Sequence, residues 1–576
     1  VAAALALVVT LPALWADLGL DDYWHRNALR GGGLQTLGQR PLLQLFNYLP
    51  GDPAGRSALE QTGIVGWWAS PDLRGSFFRP LAVASHLLDY ALWPDAIVLQ
   101  HAHSLLWYAL GVLAVALLLR QVGRDPRALA AAGLAALMFA VDEAHCLPAG
   151  WLANRNAVMA LVFGALGLLW HIRWRRRGGP GRLALSLLLL ALSLLSAEAA
   201  LGVLAYLAAY QLVLDRGPLR RRLLGLLPAL LLVAGWRWLH GGLGYGVVAS
   251  GMYIDPLVEP RQFLRGLLDR GPVLLLAQWA QVMIDSWMAL PRALQVGLTA
   301  AGLLLLAGLA ALFLPLLRRS PEARFWALGM LLSLVPAASA FPMGRLNLFV
   351  GIGACGLLAT HAYSLDIRGG KHGQGGGWRR RVTGALVWVH LPLAVPLMVL
   401  SLVLLPHVMG QVTRVSTTAT GNRPAVARQT LIVVNGIDLV TIYLPSILEE
   451  RGLPVPRHTA QLASAFSQLR LRRVDPRTLE ITAGDGFLER DADRLMWSPT
   501  RPFRAGQTRQ RPGYTARVLR VTADGRPRTV RFRFGVPLEH PSLLWRVFQD
   551  GALRPLSLPP PGEEVDLPPS AASILL

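Results

Sequence analysis

The residues in this sequence that are equipped for chemistry stand at the ends of long apolar runs. Asp21 and Asp22 are adjacent carboxylates directly after the first run, opening a loop that continues to about Phe78. Carboxylates at a membrane surface are costly unless they are used. On composition alone, the pair reads as a solvated loop start with acidic helix-capping residues. Asp142, Glu143 and His145 follow another run, Glu198 lies in the polar break Ser196-Ala197-Glu198, and Arg79, Arg155 and Arg345 each stand near the end of a run. An arginine at a helix end ordinarily snorkels to lipid headgroups, and Glu198 has the bland reading of a helix cap. His101 and His103 read as packing residues, and Trp67, Trp68, Trp279 and Trp287 as interface anchors. Asp142, Glu143 and Glu198 are residue types that hold divalent cations, yet nothing here has a ligand spacing as specific as HExxH. Cys146 and Cys355 lie in different apolar segments and offer neither a disulfide framework nor a CxxC site.

The elements that must position these residues are membrane spans. The chain is 53% hydrophobic with a mean hydropathy of +0.41. Its Leu/Ala runs approach the ~20 residues that cross a bilayer. The spans expected are Val1–Ala16, Ala96–Leu119, Ala128–Val141, Ala157–Ile172, Leu183–Leu195, Ala199–Leu214, Leu223–Leu239, Leu294–Leu317, Phe325–Phe341, Leu346–Ala362 and Ala385–Leu405, about eleven in all. Phe263–Leu290, with Asp269, Arg270 and Asp285, reads either as an interfacial helix or as a crossing pair. The net charge of +22 does not mark a nucleic-acid binder, because the arginines sit in clusters between apolar runs. Lys371 is the only lysine; with the Ala, Gly and Leu richness this points to a GC-rich bacterial genome. Val1 lies inside an apolar stretch, so the natural start is expected upstream, and no signal-peptide cleavage site precedes Asp21.

Orientation follows from the same clusters. Arg120/Arg124/Arg127, Arg173–Arg177, Arg216–Arg222, Arg318/Arg319/Arg324 and Arg368–Arg381 alternate with connections holding Asp21/Asp22, Asp142/Glu143, Glu198, Asp255/Glu259 and Pro342–Arg345. The basic set is expected on the cytoplasmic side and the acidic set outside, with Gly369–Gly377 a flexible cytoplasmic linker. The fold class expected is an all-α polytopic membrane domain, 1–406, carrying a long first external loop at about 17–95. A small mixed α/β soluble domain, 407–576, follows on the external side. Its β-like runs are Leu431–Val434, Leu469–Arg473, Thr478–Thr482, Thr515–Thr522 and Thr529–Phe534, the last two bracketing an Asp524-Gly525 hairpin signal.

Several motifs on the external side recur in order. Phe78-Arg79-Pro80-Leu81 is followed by Ser85, Asp89-Tyr90, His101 and Ser104; then come Trp151-Leu152-Ala153-Asn154-Arg155, Leu195-Ser196-Ala197-Glu198 and Gly344-Arg345-Leu346. This series resembles the GT-C glycosyltransferases, most closely the transmembrane-and-tetratricopeptide type of protein O-mannosyltransferase, over roughly Val1 to Ala362. The sequence departs from that type at Ser104, where the family has Asn, and at Ala197, where it has Lys; the tetratricopeptide repeats are absent. The resemblance implies a polyprenyl-phosphate-linked sugar donor and an external active site; the acceptor expected is a protein, lipid or glycan, and the composition points to a bacterial inner membrane. The resemblance also implies an Asp of the first external loop as base.

Such a transfer needs a base for the acceptor hydroxyl and a carboxylate near an oxocarbenium-like centre. Asp21 is the expected base, with Asp22 the fallback. The leaving phosphate needs its charge held, which arginine does through paired donors. Arg345 and Arg155 are the first candidates, then Arg79 and His145. Asp142, Glu143 and Glu198 would position the acceptor, pair with those arginines or hold a divalent metal ion. A lipid or glycan transporter or flippase would instead show inverted repeats and ionisable residues buried mid-span. A membrane scaffold would leave the carboxylates dispensable.

Overall fold

The apolar runs are helices, as they must be where no water is present to satisfy backbone N–H and C=O groups. The computed structural model describes residues 1–31, 41–123, 126–366 and 377–570. Arg124 and residues 368–376, which include most of the glycine-rich linker, lie outside them. Among the described residues six helices are long and apolar enough to cross a membrane: Ile97–Val122, Leu152–Arg177, Leu219–Gly242, Arg292–Leu317, Gly344–Leu365 and Gly377–Thr418. A seventh is added if Pro126–Ala140 and Glu143–Gly150, bent by 53°, form one broken span. Ala2–Trp15, Pro180–Ser196 and Glu198–Leu214 are apolar but shorter. All eleven expected runs fall on helices, yet six or seven meet the length test. At 1.5 Å per residue, the 17 residues of Pro180–Ser196 fall short of a ~30 Å hydrocarbon core. Phe263–Leu290 is one helix, Pro260–Ala280, with Pro272 inside it, and then a turn; it is not among the six.

Leu152–Arg177 and Gly344–Leu365 are the central helices, each 72% buried over its most apolar stretch, whereas Leu219–Gly242 and Arg292–Leu317 are 22% buried and turn leucines outward. A small residue lets Gly344–Leu365 approach its neighbour Pro321–Ala337: a Cβ on Gly353 would stand 2.5 Å from the Trp326 carbonyl oxygen. The two ends of this bundle differ in charge. At one end Arg175 pairs with Asp215 at 2.8 Å, and Arg173 reaches Gln121. At the other end of the same helices Arg155 meets Ser104 and Asp89.

Beyond that acidic end lies a second layer. Strands β1 (Asn47–Leu49), β2 (Arg74–Ser76) and β3 (Gly246–Val248) form a small sheet with β2 in the middle, tying the first loop to a later one. The last membrane helix runs on to Thr418, past residue 406, and leads into β4 (Thr430–Gly436). The strands that follow are β5 (His458–Ser464), β6 (Leu469–Asp475), β7 (Thr478–Ala483), β8 (Thr508–Arg511), β9 (Tyr514–Val521), β10 (Pro527–Phe534), β11 (Leu543–Gln549), β12 (Ala552–Pro555) and β13 (Glu564–Leu567). They make a six-stranded antiparallel sheet, β13-β6-β7-β10-β9-β8, and a four-stranded sheet, β12-β11-β4-β5. β6 alternates buried Leu469 and Leu471 with exposed Arg470 and Arg472, one face in and one in water. β4 is buried on both faces, because it pairs in parallel with β5 and β11 and packs between two cores. Ile432 and Val434 point to one core, while Leu431 and Val433 join the helix Asp438–Glu450 in the other. The expected hairpin is present: Gly525 adopts φ +78° between β9 and β10.

The core between the two C-terminal sheets is not closed by those sheets alone. Leu59, Ile64, Val65, Trp67, Trp68 and Leu73 from the first loop are buried in it. Trp67 is fully buried, its Nε1 donates to the Leu462 carbonyl at 2.9 Å, and its ring meets Phe487, Phe503 and Phe532. Trp67 and Trp68 are therefore core residues and not membrane anchors. Trp279, 1% exposed, packs inside the helix bundle against Phe313 and His390.

Candidate active site

The helix Asp21–Leu29 begins at a tight turn in which Leu20 takes φ +46°, an uncommon conformation for a branched residue. The two carboxylates at its start have different partners. Asp22 accepts from Gly19 N–H at 3.1 Å and Ala153 N–H at 2.8 Å, and Trp151 Nε1 donates to the Gly19 carbonyl at 3.1 Å. Those bonds fasten the first loop to the Trp151–Arg155 segment. Burial pushes the Asp22 carboxyl up to about 8 against its two backbone donors. Asp21 faces side chains from elsewhere. Tyr443, in the helix Asp438–Glu450, donates its hydroxyl hydrogen to Asp21, and Tyr48 of β1 also bonds to it. The Tyr48 hydroxyl lies 2.9 Å from His25 Nε2. Burial raises the Asp21 carboxyl, opposed by the two phenols and by the guanidiniums of Arg345 and Arg79.

The two arginines stand at the ends of a run of aromatic rings. The Arg79 guanidinium lies 4.4 Å from the Phe77 ring centre; Phe77 meets Tyr253, Tyr253 meets Phe341, and Arg345 lies 5.9 Å from the Phe341 ring centre. Trp151 is on the other flank of Arg345, at 5.7 Å. Arg79 is already paired, with Glu198 at 2.8 Å, and Glu198 also accepts from Phe78 N–H at 3.0 Å. Glu198 thus serves as the partner of Arg79, one of its expected roles. Arg345 acts electrostatically on Asp21 and Asp285. Among the described residues, however, no carboxylate oxygen lies within 4.0 Å of its guanidinium. Its one hydrogen bond is from Nε to Met343 Sδ, at 3.3 Å.

The remaining candidates are elsewhere. Arg155, 1% exposed, is saturated: it bonds Asp89 at 2.5 Å, Ser104 at 2.8 Å, Ser85 at 3.1 Å and the Gln100 carbonyl at 2.8 Å. The spaced series Ser85, Asp89 and Ser104 is thereby explained as one buried network around Arg155, completed by His103 at 2.6 Å from Asp89. His145 is fully buried against Tyr108 and Phe139. Asp142 accepts from Gln278 at 2.6 Å and Gln281 at 3.2 Å, and Glu143 accepts from Ser401 at 3.0 Å. Among the described residues no three His, Cys, Asp or Glu side chains form a group that could hold a metal ion. These carboxylates are held by amides and a hydroxyl, which does not fit a preformed cation site.

Sequence reasoning missed Tyr48, Tyr253 and Tyr443. A lone tyrosine has no spacing signal, and Tyr443 is separated from Asp21 by 422 positions.

No family model matches this chain, and no curated protein matches it. Several solved structures are similar in outline. The oligosaccharyltransferase of Archaeoglobus fulgidus in its apo form is 12% identical, with a TM-score of 0.43 over 79% of this chain and 64% of that one. This chain thus spans about 64% of the length of that protein. ArnT from Cupriavidus metallidurans, bound to undecaprenyl phosphate, is 13% identical with a TM-score of 0.39 over 80% of this chain and 89% of that one. At such identity and score the likeness is one of outline only.

Proposed function

We propose that this chain is a membrane glycosyltransferase of the GT-C type. It moves one sugar, hexose or pentose, from a polyprenyl-phosphate carrier to a protein, lipid or glycan acceptor on the outer side of a bacterial inner membrane. One observation carries the reading. Asp21, a half-buried carboxylate hydrogen-bonded by phenols and not by its own backbone, is faced by Arg345, a guanidinium with no carboxylate partner among the described residues. A base and a vacant anion-binding group on one external surface are what transfer from a phosphate carrier needs.

The acceptor hydroxyl oxygen attacks the anomeric carbon, and its proton passes to Asp21. The bond from that carbon to the phosphate oxygen breaks, and the carrier phosphate leaves with the electron pair, inverting the centre. A carboxyl raised by burial is a stronger proton acceptor than a solvated one, and the phenols and arginines around it work against that rise by favouring its ionised form. Arg345 presents paired N–H donors to the phosphate as its charge grows. Arg79 already carries Glu198 and serves the field around Asp21; Arg155 holds the loop and helix in register through Asp89.

The test is donor consumption by the purified full chain in proteoliposomes, offered a panel of undecaprenyl-phosphate hexoses and pentoses. Release or transfer of one sugar, lost in Asp21→Asn, supports the reading. Undiminished transfer by the Asp21/Asp22 double Asn variant overturns it, and binding of no panel member favours a transporter or scaffold.

A further inference from the structure

The helix Asp438–Glu450 of the C-terminal domain packs along the helix Asp21–Leu29, and several polar bonds join them. Arg26 Nε donates to Glu450 at 2.8 Å. Asn27 Nδ2 donates to the Ser446 carbonyl at 3.0 Å and to Glu449 at 3.1 Å. Arg451, just beyond, reaches Asp17 and the Tyr23 hydroxyl, both at 3.1 Å. Those contacts suffice to dock the domain. The Tyr443 hydroxyl is different, because it ends on Asp21, the carboxylate left without backbone donors.

We propose that Tyr443 is a positioning residue of the transfer site, supplied by the C-terminal domain: by donating to one carboxylate oxygen of Asp21 it fixes the other toward the acceptor hydroxyl. This rests on the reading of Asp21 as the base. A phenol suits the task because it donates one hydrogen bond, on a ring too rigid to wander. Burial holds the Tyr443 hydroxyl well above its ordinary range, so it stays a donor. The other groups facing Asp21 are Tyr48, Arg345 and Arg79, with Asp22 beside it and Tyr253 near both phenols. Tyr48 alone then remains as a hydrogen-bond donor when Tyr443 is removed.

The experiment compares Tyr443→Phe with the wild type in proteoliposomes, following release of sugar from the undecaprenyl-phosphate donor that the wild type consumes, as a function of pH. Hydrogen bonds to a carboxylate favour its ionised form, so losing one raises the pKa of Asp21. Activity that needs ionised Asp21 is lost as pH falls through that pKa, so the acidic limb moves to higher pH. A move of about one pH unit is expected, with about tenfold lower rate on the limb. Binding of undecaprenyl phosphate should stay within about twofold, and protease cleavage between Thr418 and Thr430 should not increase. An unmoved profile at full rate overturns the proposal. So does a loss reproduced by Arg26→Ala together with increased cleavage, since that makes Tyr443 a docking contact only. Full activity in Asp21→Asn instead removes the reading of Asp21 itself, whatever Tyr443→Phe does.

Discussion

At the scale of single residues, adjacent acids are set apart by their partners. Asp22 is enclosed by two backbone N–H groups, and Asp21 faces side chains from four other segments, those of Tyr48, Arg79, Arg345 and Tyr443. Asp21→Asn keeps size and most hydrogen bonds but removes the proton acceptor. It should lower the transfer rate by ~10²–10⁴-fold in the donor assay while leaving undecaprenyl phosphate binding intact. Arg345→Ala should weaken binding and rate together, because the phosphate is charged before and after transfer. Arg345→Lys should recover only part, since a point charge does not reproduce the paired donors. Titrating undecaprenyl phosphate into both variants, beside the rate measurement, separates the two effects. Arg79, Glu198 and Arg345 could be named from the sequence because each sits in an ordered motif, and Asp21 because the resemblance implies an Asp base in the first external loop. Arg155 was visible too, but not its saturation by Asp89 and two serines, since that depends on how two helices face each other. The tyrosines around Asp21 were not visible at all.

At the scale of elements, apolar length predicted helices well and crossings less well. Composition places a run in hydrocarbon; it does not say whether 17 residues reach both sides, or whether a break such as Val141-Asp142 divides one span into two short helices. Strands with one wet face, such as β6, were legible through alternation. β5 and β11 were not, because strands covered on both faces lose the alternating signal. One short element is unusually constrained. The helix Pro53–Thr62 ends at Gly63 with φ +82°, and a Cβ there would lie 1.7 Å from the Thr459 carbonyl oxygen of β5. Gly63→Ala therefore combines a left-handed strain of about 1–2 kcal/mol with a backbone clash. It should lower the thermal stability of the purified chain and open the first loop to proteolysis, whereas Gly31→Ala, where nothing among the described residues lies within 4 Å, should cost chiefly the strain.

At the scale of the whole molecule, the division into a membrane part and a C-terminal part describes the chain but not its packing. The first loop contributes part of the C-terminal core, and the C-terminal domain contributes Tyr443 to the loop's carboxylate. Trp67→Ala should destabilise the external layer by about 3–5 kcal/mol, as for other fully buried large aromatics. Differential scanning of the variant should show that loss together with reduced donor turnover. The burial of Trp67 also has a consequence in time. Its partners Leu462, Phe487 and Phe532 are synthesised some 400 residues later, roughly 20–80 s at ordinary elongation rates. Throughout that interval the Trp67-Trp68 pair is on a finished loop with no core to enter, next to a membrane surface where indole rings partition readily. The bilayer interface is the expected shelter of the two rings until the last strands arrive.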